Sequence, residues 1–419
     1  MTTKSDLTLI RGGKAELKEI IALPFPDRLA RLRELPAKKR MALLLGDPDG
    51  ERLARALQPQ ELYWTFKEIG AADALELVAL ASPEQREFFL DMELWETDTL
   101  SQAKALEWLG YLTEAGEERV AEQLPQMDQE ALILILIREI AVGGGIGELL
   151  PDEERTADWD HSFDNLYFLT FKEPKHARLI GTFLDIVFRH DHALYLALME
   201  GVKGEVESEL EEQAYSFRAG RLADLGFPDR EEAVAIYARI DIDTFFPTGE
   251  KKQLYPAGEA HLPVPLASDS LLARALGRLG SAELDLELNF LINNALVAEE
   301  TPFADADAMQ AVMERVSGYL TIALEYLCGD DEAKAADVLE REPLKRLFQL
   351  GNSIVQRLKK KAGQLSAADY PTAKSFNGIR AVHPRFYRGL DPDAADGYRE
   401  FRGMADVQKI EEFLERMGG

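Results

Sequence analysis

One cysteine in 419 residues, Cys328, excludes an internal disulfide, so the fold must be held by its core. A chain of this length buries enough apolar surface without such staples, and about 150 residues per domain points to two or three domains. Cys328 lies in TIALEYLCG, among apolar neighbours at helical spacing and with no basic residue beside it. It reads as a small core residue rather than a nucleophile, and a reducing, cytoplasmic setting is expected. Long hydrophobic runs are also lacking. The most apolar stretch, Ala131 to Ile137, ends at Arg138, far short of the roughly 20 residues that cross a bilayer. The opening MTTKSDLTLIRGGK lacks the apolar run of an export signal. Positive charge is scarce as well: 48 Lys and Arg stand against 75 Asp and Glu, a net charge of −27. Such a balance disfavours phosphate backbones and anionic lipid, so neither nucleic acid nor membrane insertion is expected.

The motifs of common chemistries are missing too. No G-x-x-x-x-G-K-[ST] cradle for phosphates occurs, and Gly12-Gly13-Lys14 lacks its spacing. The glycines between Gly143 and Gly147 fail G-x-G-x-x-G because Glu148 stands at the third glycine position, and they read as a hinge. G-x-S-x-G, H-E-x-x-H and cysteine pairs for zinc are absent.

What is present is helical periodicity. From about Leu17 to Ile140, apolar residues recur every three or four positions, in short segments led by Pro36, Pro59, Pro83 and Pro125. Those prolines recur at about 21 to 24 residues or twice that, the rhythm of a degenerate helical array whose stacked neighbours share one core. Ser82 with Gln85 three residues on makes a capping box. Between Gly143 and Pro174 the pattern fails, and DHSFDNLYFLTFK alternates like a strand or short hairpin. A strong helix is expected from about His176 to Gly201, another after Pro228, and a long loop from about Asp241 to Ala267. Further helices are expected at about 268–279, 282–298, 304–327, 343–361 and 404–417. The fold class is therefore mainly all-α: an N-terminal array of short helices over residues 1–142, a connecting segment with a short β-hairpin over 143–175, and a bundle-like helical domain over 176–419.

Candidate functional residues are few. Glu287 in ELDLELNFLINNAL, with Asn293 and Asn294, and Glu325 in TIALEYL interrupt greasy helices. Two facing carboxylates there would act as general acid and base, or belong to a hydrogen-bonded network that fixes helix register. Asp158, Asp160, His161 and Asp164 cluster in a loop that would collect a hard cation such as magnesium or calcium, or form a solvated acidic turn. Asp191 falls on the apolar stripe of the 176–201 helix and needs a partner there. Its neighbours His190 and His192 point away from each other on a helix and cannot share an ion. Glu173 and His176 have a di-iron spacing, but Pro174 interrupts it and no second copy exists. The basic run Arg357, Lys359, Lys360, Lys361 suits the carbonyl end of its helix, and the glutamates from Glu205 to Glu212 suit a solvated face.

Three stretches carry a resemblance: FRAGRLADLGFPDREEAVAIY from Phe217 to Tyr237, AADVLEREPLKRLFQLGNSIVQRLKKKA from Ala335 to Ala362, and HPRFYRGLDP from His383 to Pro392. They resemble an uncharacterised bacterial family, the domain of unknown function numbered 6178, which implies no activity, cofactor or catalytic residue. Separately, Leu35 to Ile140 is similar in rhythm to the superhelical cytosolic domain of bacterial magnesium transporters and to flagellar motor switch helical domains. That similarity implies an adaptor or a magnesium-responsive acidic surface. The expected function is a cytoplasmic protein-interaction scaffold whose acidic surface suits a basic partner. The alternatives are a divalent-cation-responsive regulator acting through the 158–164 loop, and a helical enzyme using Glu287 and Glu325. No bound cofactor is expected unless that loop collects magnesium or calcium.

Overall fold

The computed structural model describes residues 17–70, 73–145, 159–249, 251, 269–301, 305–366 and 370–418. They are mainly α-helical, with three short two-stranded antiparallel sheets. These pair β1 (Trp95–Glu96) with β2 (Thr99–Leu100), β3 (Ile140–Gly144) with β4 (Tyr167–Phe171), and β5 (Phe386–Tyr387) with β6 (Tyr398–Arg399). None of the described helices is long and apolar enough to cross a membrane. The chain forms two compact units, Met1–Arg221 and Leu222–Gly419. The boundaries expected near residues 142 and 175 both lie inside the first of these.

In the first unit the array expected from the proline rhythm is built from α1 (Phe25–Glu34), α2 (Ala37–Gly46), α3 (Gly50–Arg55), α4 (Pro59–Ile69), α5 (Leu75–Leu80), α6 (Pro83–Glu93), α7 (Gln102–Ala115) and α8 (Glu117–Gln123). Alternate helices pack on each other, α2 on α4 and α4 on α6, α3 on α5 and α5 on α7. A six-residue helix has too few apolar positions to hold itself, so this shared packing is what makes it stable. The aromatic rings of Tyr63, Phe66, Phe89 and Trp108 fill the space between α4, α6 and α7, with Phe66 and Trp108 centred 5.4 Å apart. Pro59 and Pro83 open α4 and α6, and Pro36 immediately precedes α2. Pro125 instead sits in a 3₁₀ turn, Leu124–Gln126, that follows directly on the end of α8.

The ends of these helices are satisfied by side chains from other helices. The Ser82–Gln85 capping box forms as expected, and Gln85 Nε2 then donates to the carbonyls of Ala54, in the last turn of α3, and Leu57, just after it, at 2.8 and 2.7 Å. Arg40 on α2 donates to the carbonyls of Leu32, Arg33 and Leu35, which close α1. Arg86, fully buried on α6, reaches the Ala81 carbonyl at 2.7 Å, Gln123 at 2.9 Å and Glu122 at 2.9 Å.

The hairpin pairs β3 (Ile140–Gly144), which follows α9 (Gln129–Glu139), with β4 (Tyr167–Phe171). The hinge reading of the glycines is corrected here, because Gly143 and Gly144 are strand residues. A Cβ on Gly143 would overlap the Trp159 ring, and Gly144 has φ +76° with the Leu166 carbonyl against its open side. The helix expected over 176–201 is also corrected. It divides at Asp191 into α10 (Ala177–His190) and α11 (His192–Gly204), and Asp191 Oδ1 accepts from Leu194 N at 2.9 Å. Asp191 is an N-cap and not a buried stripe residue, which its acceptor side chain suits better. The first unit ends within α12 (Glu207–Asp224), where Glu207 and Glu211 pair with Arg138 and Arg221 clasps Asp91 at 2.7 Å.

In the second unit, α13 (Arg230–Val234) and a 3₁₀ turn, Ala235–Tyr237, precede α14 (Leu271–Leu279), α15 (Ala282–Ala298), α16 (Ala306–Cys328), α17 (Glu332–Arg341), α18 (Leu344–Ala362), α19 (Tyr370–Arg380) and α20 (Met404–Gly418). Helix α16 is the central member, packing on α14, α15, α17 and α18, while α18 also packs on α19 and α20. Short α17 and α19, not anticipated from the sequence, complete this bundle. The approach of α16 and α18 requires glycine, since a Cβ on Gly351 would overlap the Tyr319 carbonyl oxygen of the facing helix. Gly351→Ala is therefore expected to lower unfolding stability by about 2 kcal/mol or more. Urea denaturation measures this, and an unchanged midpoint would show that the two helices do not approach so closely.

Candidate functional site

The three stretches singled out in the sequence meet at Tyr237. The first ends there, in the 3₁₀ turn before the 241–249 loop. The second runs along α18, whose Phe348 packs edge-on against the Tyr237 ring at 5.3 Å and whose Asn352 Nδ2 donates to the Tyr237 carbonyl at 3.2 Å. The third begins at His383, whose ring lies 5.0 Å from that of Tyr237.

Beneath this junction lies a buried ionic cluster. The Tyr237 hydroxyl donates to Glu299 at the end of α15, and Glu299 also accepts from Arg315 of α16. On its other side Arg315 forms a two-pronged bond to Glu400, at 3.0 and 2.9 Å. Arg385 comes within 3.6 Å of Glu400 from the solvent side, and His383 Nδ1 stands 3.9 Å from Glu299. One turn after Arg315, the Tyr319 hydroxyl is fully enclosed and takes no hydrogen bond among the described residues. Burial alone would lower the Arg315 pKa, but the charges of Glu400 and Glu299 outweigh it and hold the guanidinium above its ordinary value. Burial raises Glu400 in spite of Arg315, and it raises Tyr237 with help from Glu299. Paired and hydrogen-bonded in this way, the charges tolerate enclosure, whereas removing one partner from such a pair costs about 3 to 5 kcal/mol. The donors and acceptors are directed at one another, so the cluster ties α15, α16, the Tyr237 turn and the segment before α20 together. Sequence reading missed it, although Arg315 carries a usable signal: it is a cation on the same stripe as Val312, Val316 and Tyr319.

The expected carboxylates serve helix starts. Glu287 is buried on α15, where Oε1 accepts from Leu344 N at 2.7 Å, the first amide of α18, and Oε2 pairs with Lys251. Glu325 on α16 accepts from Met404 N at 2.6 Å, the first amide of α20, and burial raises its pKa despite that bond. Each is thus committed to a different helix. Asn293 and Asn294 donate to the carbonyls of Leu225 and Gly226. Gly226 has φ +83° and packs on Phe290, which accounts for glycine in the Gly226-Phe227-Pro228 motif.

In the 158–164 loop, Asp158 lies outside the described residues. Asp160 Oδ2 accepts from Phe171 N at 2.7 Å, and Asp164 Oδ1 accepts from Leu166 N and Tyr167 N at 2.8 and 2.9 Å. His161 pairs through its backbone with Leu169, and its ring packs on Phe163 at 4.3 Å. Among the described residues no three His, Cys, Asp or Glu side chains converge as a cation site. His176 pairs with Glu139 at 2.7 Å and not with Glu173. Cys328 is half-buried at the end of α16, and burial raises its thiol pKa.

Burial lowers the His383 pKa against the attraction of Glu299, with Arg315, Lys359 and Arg385 reinforcing the effect. Unfolding restores the ordinary value, so the unfolded chain binds the proton more readily. The stability this neutral imidazole contributes is in place above pH 6.5 and is lost as pH falls through the lower folded-state value. Urea unfolding between about pH 7 and pH 5 should therefore show a steeper loss of stability in the native protein than in His383→Gln. Parallel profiles would contradict it.

No curated protein and no solved structure matches the chain, so the likeness of Leu35 to Ile140 to magnesium transporter and flagellar motor switch domains rests on rhythm alone. A family model does match, over residues 17–418, which takes in all three stretches that meet at Tyr237. The chain belongs to the family of unknown function DUF6178.

Proposed function

We propose that the protein is a cytoplasmic protein-interaction scaffold that presents an acidic exterior to a basic protein partner. One observation carries this reading: among the described residues, enclosed charged groups are spent on holding helices together. Glu287 and Glu325 start helices, and Arg86, Arg315 and Glu400 join them. The charge surplus of −27 is left to the outside, where Glu209 and Glu212 of α12 are exposed. Charge at the rim of an interface steers encounter and excludes partners of like sign. The first unit also offers a receptive surface, an open groove of about 730 Å³ lined by Phe163, Phe188, Asp160, Asp185, Arg178 and Arg189. Function by contact needs no convergent reactive groups, which fits the absence of catalytic motifs.

The test is capture with the full-length chain as bait from the cells that produce it. A basic protein should be recovered at about 50 mM salt and largely lost at about 500 mM, because screening shortens the reach of exposed charges. Bait carrying Glu209→Lys and Glu212→Lys should recover several-fold less. No reproducible partner at either salt would contradict the reading.

A further inference from the structure

Against a net charge of −27, residues 357–388 hold eight lysines and arginines and a single aspartate. The fold gathers part of this charge where α18 and α19 end. Arg380, at the end of α19, donates to the carbonyls of Ala362 and Leu365 beyond α18 and stacks on Phe376 at 4.7 Å. Lys359 donates to the Val382 carbonyl at 3.1 Å. These two cations are engaged as helix-end partners, but others are not. Lys360 is exposed and makes no ion pair among the described residues, Arg385 is 51% exposed, and Lys361 is 47% exposed. The carboxylates that reach Arg357, Lys361 and Arg385 are Glu411, at 3.5 Å from Lys361 and 4.0 Å from Arg357, the exposed Asp243, also 4.0 Å from Arg357, and the buried Glu400, already held by Arg315.

Beside Lys359 stands Val382, 78% exposed, the most exposed large apolar side chain among the described residues. It is held outward by its surroundings. The next residue, His383, is drawn in against Tyr237, Pro384 is buried, and Arg385 N bonds to the Gly378 carbonyl at 2.9 Å. Chain fixed on both sides of an apolar side chain cannot fold that side chain away, so its exposure is built into the turn. A pinned apolar residue with Lys359 at its carbonyl, the exposed Arg385 three residues on and the exposed Lys360 and Lys361 at the end of the adjoining helix has the pattern of an interface centre with a charged rim.

We propose that the 381–385 turn, with Lys360 and Lys361, is a docking surface for an acidic protein segment whose apolar side chain seats against Val382. Charge complementarity selects the occupant. A long polyanion such as nucleic acid would also meet the acidic remainder of the chain and be repelled, whereas a short acidic segment need meet only this face. The surface differs in sign and place from the acidic exterior described above, which would give the scaffold two partners of opposite charge.

The test uses the full-length protein and three labelled probes at about 50 mM salt, read by fluorescence anisotropy: a short peptide of alternating Glu and Leu, its Gln counterpart, and a long single-stranded oligonucleotide. Saturable binding of the acidic peptide alone is expected. Lys360→Glu with Lys361→Glu should weaken it at least about tenfold, and Val382→Ser should weaken it in a protein whose thermal unfolding is unchanged. The proposal is overturned if the acidic peptide does not bind, if the Gln peptide or the oligonucleotide binds as well, or if the variants bind like the native protein. It is equally overturned if sedimentation shows self-association that the lysine variants abolish, since the occupant is then a second copy of the chain. None of these outcomes bears on the acidic exterior, whose test is recovery of a basic partner.

Discussion

Short helices have many ends, and each end leaves amides or carbonyls that its own turns cannot satisfy. A fold built from segments of six to fourteen residues, as the first unit is up to its last helix, meets this constraint far more often than one built from long helices. The recurrent solution is a polar side chain lent by another helix. Gln85 and Arg40 serve carbonyls in the first unit, while Glu287, Glu325 and Arg380 serve amides and carbonyls in the second. Each such bond fixes the position of one helix end relative to another element, which apolar packing alone specifies less sharply.

This use of polar groups explains why the candidate residues changed meaning between sequence and structure. Glu287 and Glu325 stand out in the sequence because a carboxylate on a greasy helix needs a partner, and that inference is sound. The partners are backbone amides of helices that begin 57 and 79 residues later, and periodicity within one helix carries no information about which distant end it will meet. Asp191 was visible as an anomaly for the same reason, and its role as a cap became clear only with the break between α10 and α11.

Other features were legible because they are local. The Ser82–Gln85 box, the proline starts of α4 and α6, and the 282–298 helix with its Ser281 cap depend on neighbouring residues. The glycines of β3 depend on Trp159 and Leu166 across the hairpin, and so they read wrongly as a hinge. The ionic cluster around Arg315 draws on segments near residues 237, 299, 315, 383 and 400, and no spacing rule joins them. The family-resembling stretches pointed to their meeting place without disclosing it.

If enclosed charge is structural, the working surface of the protein is what remains outside, an acidic exterior interrupted by a basic turn. The underlying claim is that side chains lent between helices hold the helix ends. Amide hydrogen exchange in Glu325→Ala tests it most directly. The account predicts faster exchange in the first turn of α20, beginning at Met404, while α14 in the same unit keeps its protection. Unaltered protection at Met404 would contradict it.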